Sequence, residues 1–557
     1  MNDKPTLAFY GMKHDSFMHD HNICVMQNGR VLRYLQLERY TGKKYDNRLD
    51  LYIEELIDDG LLELPEEFDI VSVNSFAGNA FISGGGRIRV ESPVAHRLSD
   101  DLEPALAWLQ ISGSVLNKVD AYNCPHELAH VASCMPFFGE FMENSLLISF
   151  DGGSSRGNFS AFHFINGKPD LLEYGWDELG YLSKFFNDNP LNFNILGEGR
   201  DKHCGVPGKL MGYASYGTYN KEIETWLKGN GFFTANDDYY WKNPGAILLS
   251  IRDTFGVSMD GFESRDPFLQ NVAATFQHIF ERELTRKVIQ LQERTGAEYL
   301  YYSGGCALNI VTNTKIIDTG VFRDVFIPPC CNDSGLSIGA ASLLERKKGN
   351  EIQIHSPYLC NVGLNESAAI AISGEVIALT AEIILAGGIV GVCNGNAEVG
   401  PRALGNRSLI ARADSVEIAK RLSMEVKKRE WYRPVAPIML ESVAAKVTAR
   451  PVHHLAKFML LDFCVSKEYE RHLRGVIHAD NTARIQIIGG EGDNPFMFSL
   501  LTFLYERHGM LALINTSFNS FGEPIAHTTE DAVRSVKEMG LHGLVINNAL
   551  YKKGDGL

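Results

Sequence analysis

Three short apolar runs constrain this chain most, because each is followed at once by a glycine-rich or acidic turn. Residues 146–150 (LLISF) lead into Asp151-Gly152-Gly153. Residues 299–302 lead into Ser303-Gly304-Gly305, and a helical pattern follows from about 307 to 317. Residues 325–327 lead into Pro328-Pro329-Cys330-Cys331-Asn332-Asp333 and then an Ala/Gly-rich helical stretch. Unbroken apolar runs of this length read as strands buried on both faces. Strands alternating with helices predict an α/β fold, with ligands bound beyond the carboxyl ends of the strands.

The rest of the chain fits that class. Residues 23–26 and 31–37 flank Gln27-Asn28-Gly29, the pattern of a hairpin. A strand is predicted in 68–76, one helix over 125–138 with Pro125 at its first position, and a long helix over 272–294. Residues 347–364 are polar and aperiodic and read as a linker, so two large units are expected, 1–355 and 356–557. No internal repeat is visible in the sequence. The 53 Lys+Arg against 68 Asp+Glu give a net charge of -15, which argues against a nucleic-acid coat. None of the ten cysteines forms a CxxC pair. The first residues lack a basic stretch followed by an apolar one, and the longest apolar run, 377–393, is broken by Glu382. A cytoplasmic protein with reduced thiols and no membrane partner is expected.

His126 and His130 stand four apart on a predicted helix and leave the same face, a spacing that suits two imidazoles on one metal. Asp151 and Asp333 follow strands, and the mixed N/O set suits iron, manganese or zinc. The same segment is also HExxH, in which Glu127 would be the general base of a zinc peptidase. That alternative needs a further ligand, and the next acids, Glu140 and Glu143, fall in a Phe/Gly-rich turn.

Asp151-Gly152-Gly153, Gly208 to Gly212 (GKLMG), Ser303-Gly304-Gly305 and Asp333-Ser334-Gly335 read as turns whose N–H groups could approach phosphate oxygens. Together they resemble the actin-like ATPase fold, so a non-catalytic ATPase or kinase relative is a second alternative. Further on, Arg402, Lys427, Arg433 and Arg484 are interleaved with Gly-Pro and aromatic residues, which favours a shaped anion pocket over a solvated face.

Strings along nearly the whole chain then resemble the O-carbamoyltransferases of the nodulation protein U, cephem and tobramycin carbamoyltransferase type. They are HDHNICVMQNG, LERYTGKK, PHELAH, SFDGG, GKLMGYASYG, SGGCALN, GPRALGNRS, KKREWYRPVAP, HADNTARIQ and NTSFNSFGEPI. The resemblance implies an actin-like amino-terminal domain, similar to the tRNA threonylcarbamoyl-transfer enzymes, and a YrdC-like carboxyl-terminal domain. The latter would join ATP and carbamoyl phosphate into carbamoyl adenylate, with Mg²⁺ accompanying ATP. The former would carry the carbamoyl group to a hydroxyl of a small acceptor, a natural product such as an antibiotic or a sugar.

Carried over residue by residue, the resemblance makes His126, His130, Asp151 and Asp333 metal ligands, with Fe²⁺ expected. Arg402, Lys427, Arg433, Arg484, Asn515 and Ser517 match the adenylate-forming pocket, and Gly208, Lys209, Gly304, Gly305 and Asn309 join the substrate- and nucleotide-binding set. His19 is the candidate base, and Lys44, Arg402, Lys427 and Arg433 are the other catalytic candidates. His14-Asp15 is a second HD pair with poorer spacing. The oligomeric state is left open, a homodimer being one option. Two departures from the family stand out: Ser154-Ser155 where DGxGE has its glutamate, and Cys330-Cys331-Asn332 before Asp333. The hydrogenase-maturation carbamoyltransferase would add an acylphosphatase segment and CxxC fingers, which this sequence does not display.

Overall fold

The computed structural model describes residues 4–11, 18–64, 67–74, 80–91, 101–111, 114–116, 119–177, 179, 202–230, 244–257, 265–364 and 371–554. The first sheet holds β1 (Thr6–Tyr10), β2 (Asn22–Gln27), β3 (Arg30–Gln36), β4 (Asp69–Asn74), β5 (Ala80–Ile82), β6 (Ile88–Glu91), β7 (Glu103–Ile111), β8 (Ser114–Leu116) and β9 (Ala121–Pro125). Its order is β3-β2-β1-β4-β9-β7-β6-β5, with β8 beside β7. The expected hairpin is β2–β3, closed by Asn28 and Gly29, both at positive φ. The second sheet holds β10 (Ser145–Ser154), β11 (Gly157–Ile165), β12 (Lys168–Gly175), β13 (Tyr299–Ser303) and β14 (Asp324–Phe326), in the order β12-β11-β10-β13-β14.

These two sheets share one topology. In β3-β2-β1-β4-β9 and in β12-β11-β10-β13-β14, two antiparallel pairings are followed by two parallel ones. The amino-terminal half is therefore a duplicated unit of the actin-like kind, as expected from the turns. No sequence repeat betrays it, because the duplicated quantities are pairing sense and burial, which many apolar residues satisfy equally.

The third sheet holds β15 (Val390–Cys393), β16 (Arg407–Arg412), β17 (Ala436–Leu440), β20 (Gln486–Ile488), β21 (Leu513–Ser517), β22 (Gly543–Ile546) and β23 (Ala549–Lys552), while β18 (Phe463–Cys464) pairs separately with β19 (Thr482–Ala483). The seven strands run β20-β17-β21-β16-β15-β22-β23, with β15–β22 and β17–β20 parallel and the rest antiparallel. Helices Gly374–Leu385 and Pro495–His508 cover it, giving an α/β carboxyl-terminal part.

Two helices set the position of the first candidate site. His126–Ala132 follows β9 directly, and Leu336–Lys347 packs against it with almost its whole length buried. Gly339 makes the approach possible, since a Cβ there would stand 1.8 Å from the Ala129 carbonyl oxygen.

Several local expectations change. The single helix expected over 125–138 is two short pieces, His126–Ala132 and Met135–Phe138, and Pro125 precedes the first as its cap rather than opening it. Ser133 Oγ donates to His130 O at 2.6 Å near the break. Asp151-Gly152-Gly153 is not the turn: β10 continues irregularly through it, and the chain reverses at Ser155-Arg156. Residues 208–212 are not a turn either but lie inside the helix Lys202–Ala214. The 347–364 segment includes an extended strap over the first unit. Gln353 N–H donates to Gly29 O at 3.0 Å, His355 N–H to Pro136 O at 2.7 Å and Asn361 N–H to Tyr34 O at 3.1 Å. Among the described residues no helix is long and apolar enough to cross a membrane.

Candidate functional site

The fold brings His126, His130, Asp151 and Asp333 together, with one ligand atom from each lying within 4.8 Å of the others. The two Nε2 atoms face each other at 3.0 Å. His130 Nε2 lies 2.9 Å from Asp151 Oδ2 and 3.4 Å from Asp333 Oδ1, and His126 Nε2 lies 3.6 Å from Asp333 Oδ1. Donors this close match the spacing around an ion with bonds of about 2.1 Å. The donor set, two imidazoles and two carboxylates shielded from solvent, fits a divalent transition metal.

Neighbours hold the ligands still. Gly305 N–H donates to Asp151 Oδ1 at 3.1 Å and Tyr10 OH to Asp333 Oδ2 at 2.8 Å. Gly304, at φ 101°, gives its N–H to Cys331 O at 2.7 Å. The Ser303-Gly304-Gly305 turn therefore spends both glycine N–H groups on positioning the carboxylate and the Cys331 segment. Asn309 caps the next helix, accepting from Thr312 N–H at 3.1 Å.

Burial alone would discharge His126, but the two carboxylates prevail and hold its pKa up at about 9 in the metal-free protein. A metal bound here would have to displace that proton. Metal affinity is therefore expected to rise roughly tenfold per pH unit for each proton displaced and to level off above about pH 9. Titration calorimetry in two buffers of different ionisation enthalpy, repeated across pH, counts those protons.

His19 stands at the edge of this cluster. Its Nδ1 is 3.1 Å from Asp20 Oδ2 and 3.9 Å from Asp333 Oδ2. Asn332 Nδ2 donates to the same Asp20 oxygen at 3.0 Å. Burial opposes a charge on His19, yet Asp333 and Asp20 raise its pKa well above the usual imidazole value. The second pair, His14-Asp15, lies outside the described residues.

Glu127 does not behave as a peptidase base. Its buried carboxylate forms an ion pair with Arg156, Oε1 to Nε at 3.0 Å, and both side chains are almost fully shielded. Glu127→Ala would strand the guanidinium and should cost about 3–5 kcal/mol of stability, read by urea denaturation, with metal stoichiometry unchanged.

The second candidate site is a cluster of cations in the carboxyl-terminal part. The Arg402 loop is stapled by Glu398, whose Oε1 accepts N–H groups of Leu404, Asn406 and Arg407 at 2.8, 2.8 and 3.0 Å. Arg402, Arg429 and Arg484 are half-buried. Burial lowers the pKa of all three, Arg429 to about 9, and repulsion adds to it. Arg402 feels Arg433, Arg429 feels Arg433 and Arg402, and Arg484 feels all three. The Nε atoms of Arg402 and Arg484 are buried with no hydrogen-bond partner. Crowded guanidiniums with orphan donors make this cluster a candidate anion site.

Other expected members serve the walls. Lys427 Nζ donates to Ser517 O at 2.7 Å, Asn519 O at 2.6 Å and Asn519 Oδ1 at 2.5 Å, which ties down the 517–519 segment. Asn515 Nδ2 donates to Ala403 O at 3.1 Å, while its Oδ1 is buried and unpartnered. Lys209 bridges to Glu430 at 2.7 Å, and Tyr213 of the same helix packs on Tyr432. Gly208 is exposed in that helix.

Arg429 and Asp20 were missed by the sequence reading. Arg429 lies in the quoted KKREWYRP run, but only the fold shows that Lys428, at φ 48°, is exposed while the residues on both sides of it face inward. The two sites adjoin. Arg402 feels Cys331 and Tyr45, Cys331 feels Asp151, and Lys427 feels Lys44. The Tyr45 and His19 rings lie 6.1 Å apart. Arg39 Nη2 donates to Gly400 O at 3.0 Å, and Gly400 N–H donates to Gln36 Oε1 at 3.2 Å, which clips β3 to the Arg402 loop.

Comparison with known proteins finds relatives of both parts of the chain. Residues 108–342 match the family model described as carbamoyltransferase N-terminus, and residues 381–553 match carbamoyltransferase C-terminus. The chain is 28% identical to nodulation protein NolNO of Sinorhizobium fredii over 97% of this chain and 80% of that one. It is also 28% identical to nodulation protein U of Rhizobium tropici, over 90% of each. Among solved structures, HypF of T. kodakarensis aligns with 13% identity and a TM-score of 0.35, over 62% of this chain and 48% of that one, so the chain spans about half of that protein. Two adjoining sites, spread over both matched regions, thus sit in a chain that belongs to the carbamoyltransferase family of the nodulation protein U type and is a carbamoyltransferase enzyme.

Proposed function

We propose that this enzyme prepares its own carbamoyl donor from ATP, Mg²⁺ and carbamoyl phosphate in the arginine pocket. It then passes the carbamoyl group to a hydroxyl of a small acceptor, a natural product or sugar, at the His126–His130 cluster. The observation that carries this reading is the contact of the two sites: crowded guanidiniums suited to a triphosphate adjoin an N/O donor set suited to a metal. We assign 1–355 to transfer and 356–557 to donor formation.

Water splits carbamoyl phosphate into carbamate and phosphate. A carbamate oxygen then attacks the α-phosphorus of ATP, forming carbamoyl adenylate and expelling pyrophosphate. Arg402, Arg429, Arg433 and Arg484 balance the charge that shifts onto the leaving group. In the second step the acceptor oxygen attacks the carbonyl carbon and AMP departs. His19, oriented by Asp20, takes the hydroxyl proton. A divalent ion such as Fe²⁺ held by His126, His130, Asp151 and Asp333 would polarise a carbonyl oxygen and draw down the His19 proton that Asp333 otherwise retains.

Incubation with ATP, Mg²⁺ and carbamoyl phosphate tests the reading. Pyrophosphate release that depends on carbamoyl phosphate is expected. ADP formation without pyrophosphate would instead identify a kinase or ATPase, and chelator-sensitive casein hydrolysis a peptidase.

A further inference from the structure

A second group of metal-ligating side chains lies where β14 meets the carboxyl-terminal part. Asp324 opens β14, and His453 and His454 begin the 3-10 turn His454–Phe458. Asp324 Oδ1 lies 3.0 Å from Nε2 of His453 and 3.0 Å from Nε2 of His454. The three ligand atoms fall within 4.8 Å of one another. Neighbouring residues rarely point at one target, yet here the rings lie 4.2 Å apart at 32° because the turn swings both toward β14. Phe138 and Phe326 pack against His454, at 5.5 and 5.6 Å between ring centres, and fix its orientation. The side chains are 21%, 34% and 34% exposed, so an ion and its waters can reach the donors from solvent.

We propose that Asp324, His453 and His454 form a second metal site, separate from the His126–His130 cluster, that takes a zinc ion or a similar late first-row divalent ion. Two imidazole nitrogens and one carboxylate oxygen, with water completing the shell, are the donor set of an open zinc site. Asp324 comes from the second sheet and the histidines from the carboxyl-terminal part, so the ion clips the two together.

The competing arrangement is a pair of hydrogen bonds. Leu455 N–H donates to His453 Nδ1 at 3.3 Å, so without metal that ring carries its proton on Nε2, toward Asp324. On binding, the Nε2 lone pair goes to the ion and the proton transfers through solvent to Nδ1. The loss is one long cap hydrogen bond.

The full-length chain, stripped with chelator, is dialysed against Zn²⁺. His453→Asn/His454→Gln keeps a capping side chain at 453 and should bind one zinc ion fewer per chain than the unsubstituted protein. Asp324→Asn should weaken the same ion at least tenfold. Equal stoichiometry and affinity in all three would overturn the proposal. If the double variant does not fold, mass spectrometry of diethylpyrocarbonate modification decides with the unsubstituted chain. Zn²⁺ should protect His453 and His454, and unchanged modification at both would refute the site.

Discussion

Arg433→Ala should reduce carbamoyl-phosphate-dependent pyrophosphate release about 10³-fold or more. Arg433 belongs to a group whose other members already lose affinity for their protons through burial and mutual repulsion. A guanidinium beside them is in place before charge develops. Removing one donor of this kind typically costs 10²–10³ in rate, and an arginine acting on transferred phosphate about 10³–10⁵. Lysine at 433 should recover only part of the loss, because it supplies a point charge and not a planar fork. The Arg433 side chain is 37% exposed and its ion pair with Glu430 is long, at 3.4 Å, so stability should change little. Pyrophosphate release within tenfold of the unsubstituted enzyme would remove Arg433 from the donor-forming step.

His130→Ala should have the opposite profile. Pyrophosphate release should persist within a few-fold, while carbamoyl transfer falls at least about 10³-fold and bound metal drops by one ion per chain. His130 is fully buried, and its Nε2 contacts His126, Asp151 and Asp333 together, so its loss opens the donor set at its centre. The arginine pocket lies beyond Cys331 and does not use this nitrogen. Parallel loss of both activities would show that the two sites do not divide the reaction. Glutamine at 130 separates ligand loss from cavity formation, since it refills most of the volume with a poor metal ligand.

Much of the site was legible because its residues announce themselves locally. His126 and His130 are neighbours on one helical face by spacing alone. Asp151 and Asp333 follow runs too apolar to be anything but buried strands. The GPRALGNRS, KKREWYRPVAP and HADNTARIQ strings carry the arginines. Glycine-rich stretches were less faithful guides. Residues 208–212 are helical, and the N–H groups of Gly304 and Gly305 are already given to Cys331 and Asp151. A glycine reports that a backbone approaches something closely, without saying what. The polar stretch 347–364 shows no period for a related reason: a strap that follows other segments of the same chain has none of its own.

What the sequence determined by itself was the α/β class, the strand ends that bear ligands, the inventory of cations and the family resemblance. All of these rest on periodicity, side-chain type or contiguous strings. Only the tertiary structure decided which groups meet. The parallel pairing of β10 with β13 and the seating of Leu336–Lys347 on His126–Ala132 bring Asp333 to residues some two hundred positions earlier. The same folding turns Glu127 into a buried ion pair, makes Lys427 a brace, brings Arg429 into the pocket and sets His453 and His454 against Asp324. Convergence of this kind depends on long-range register and burial, which no local window of sequence contains.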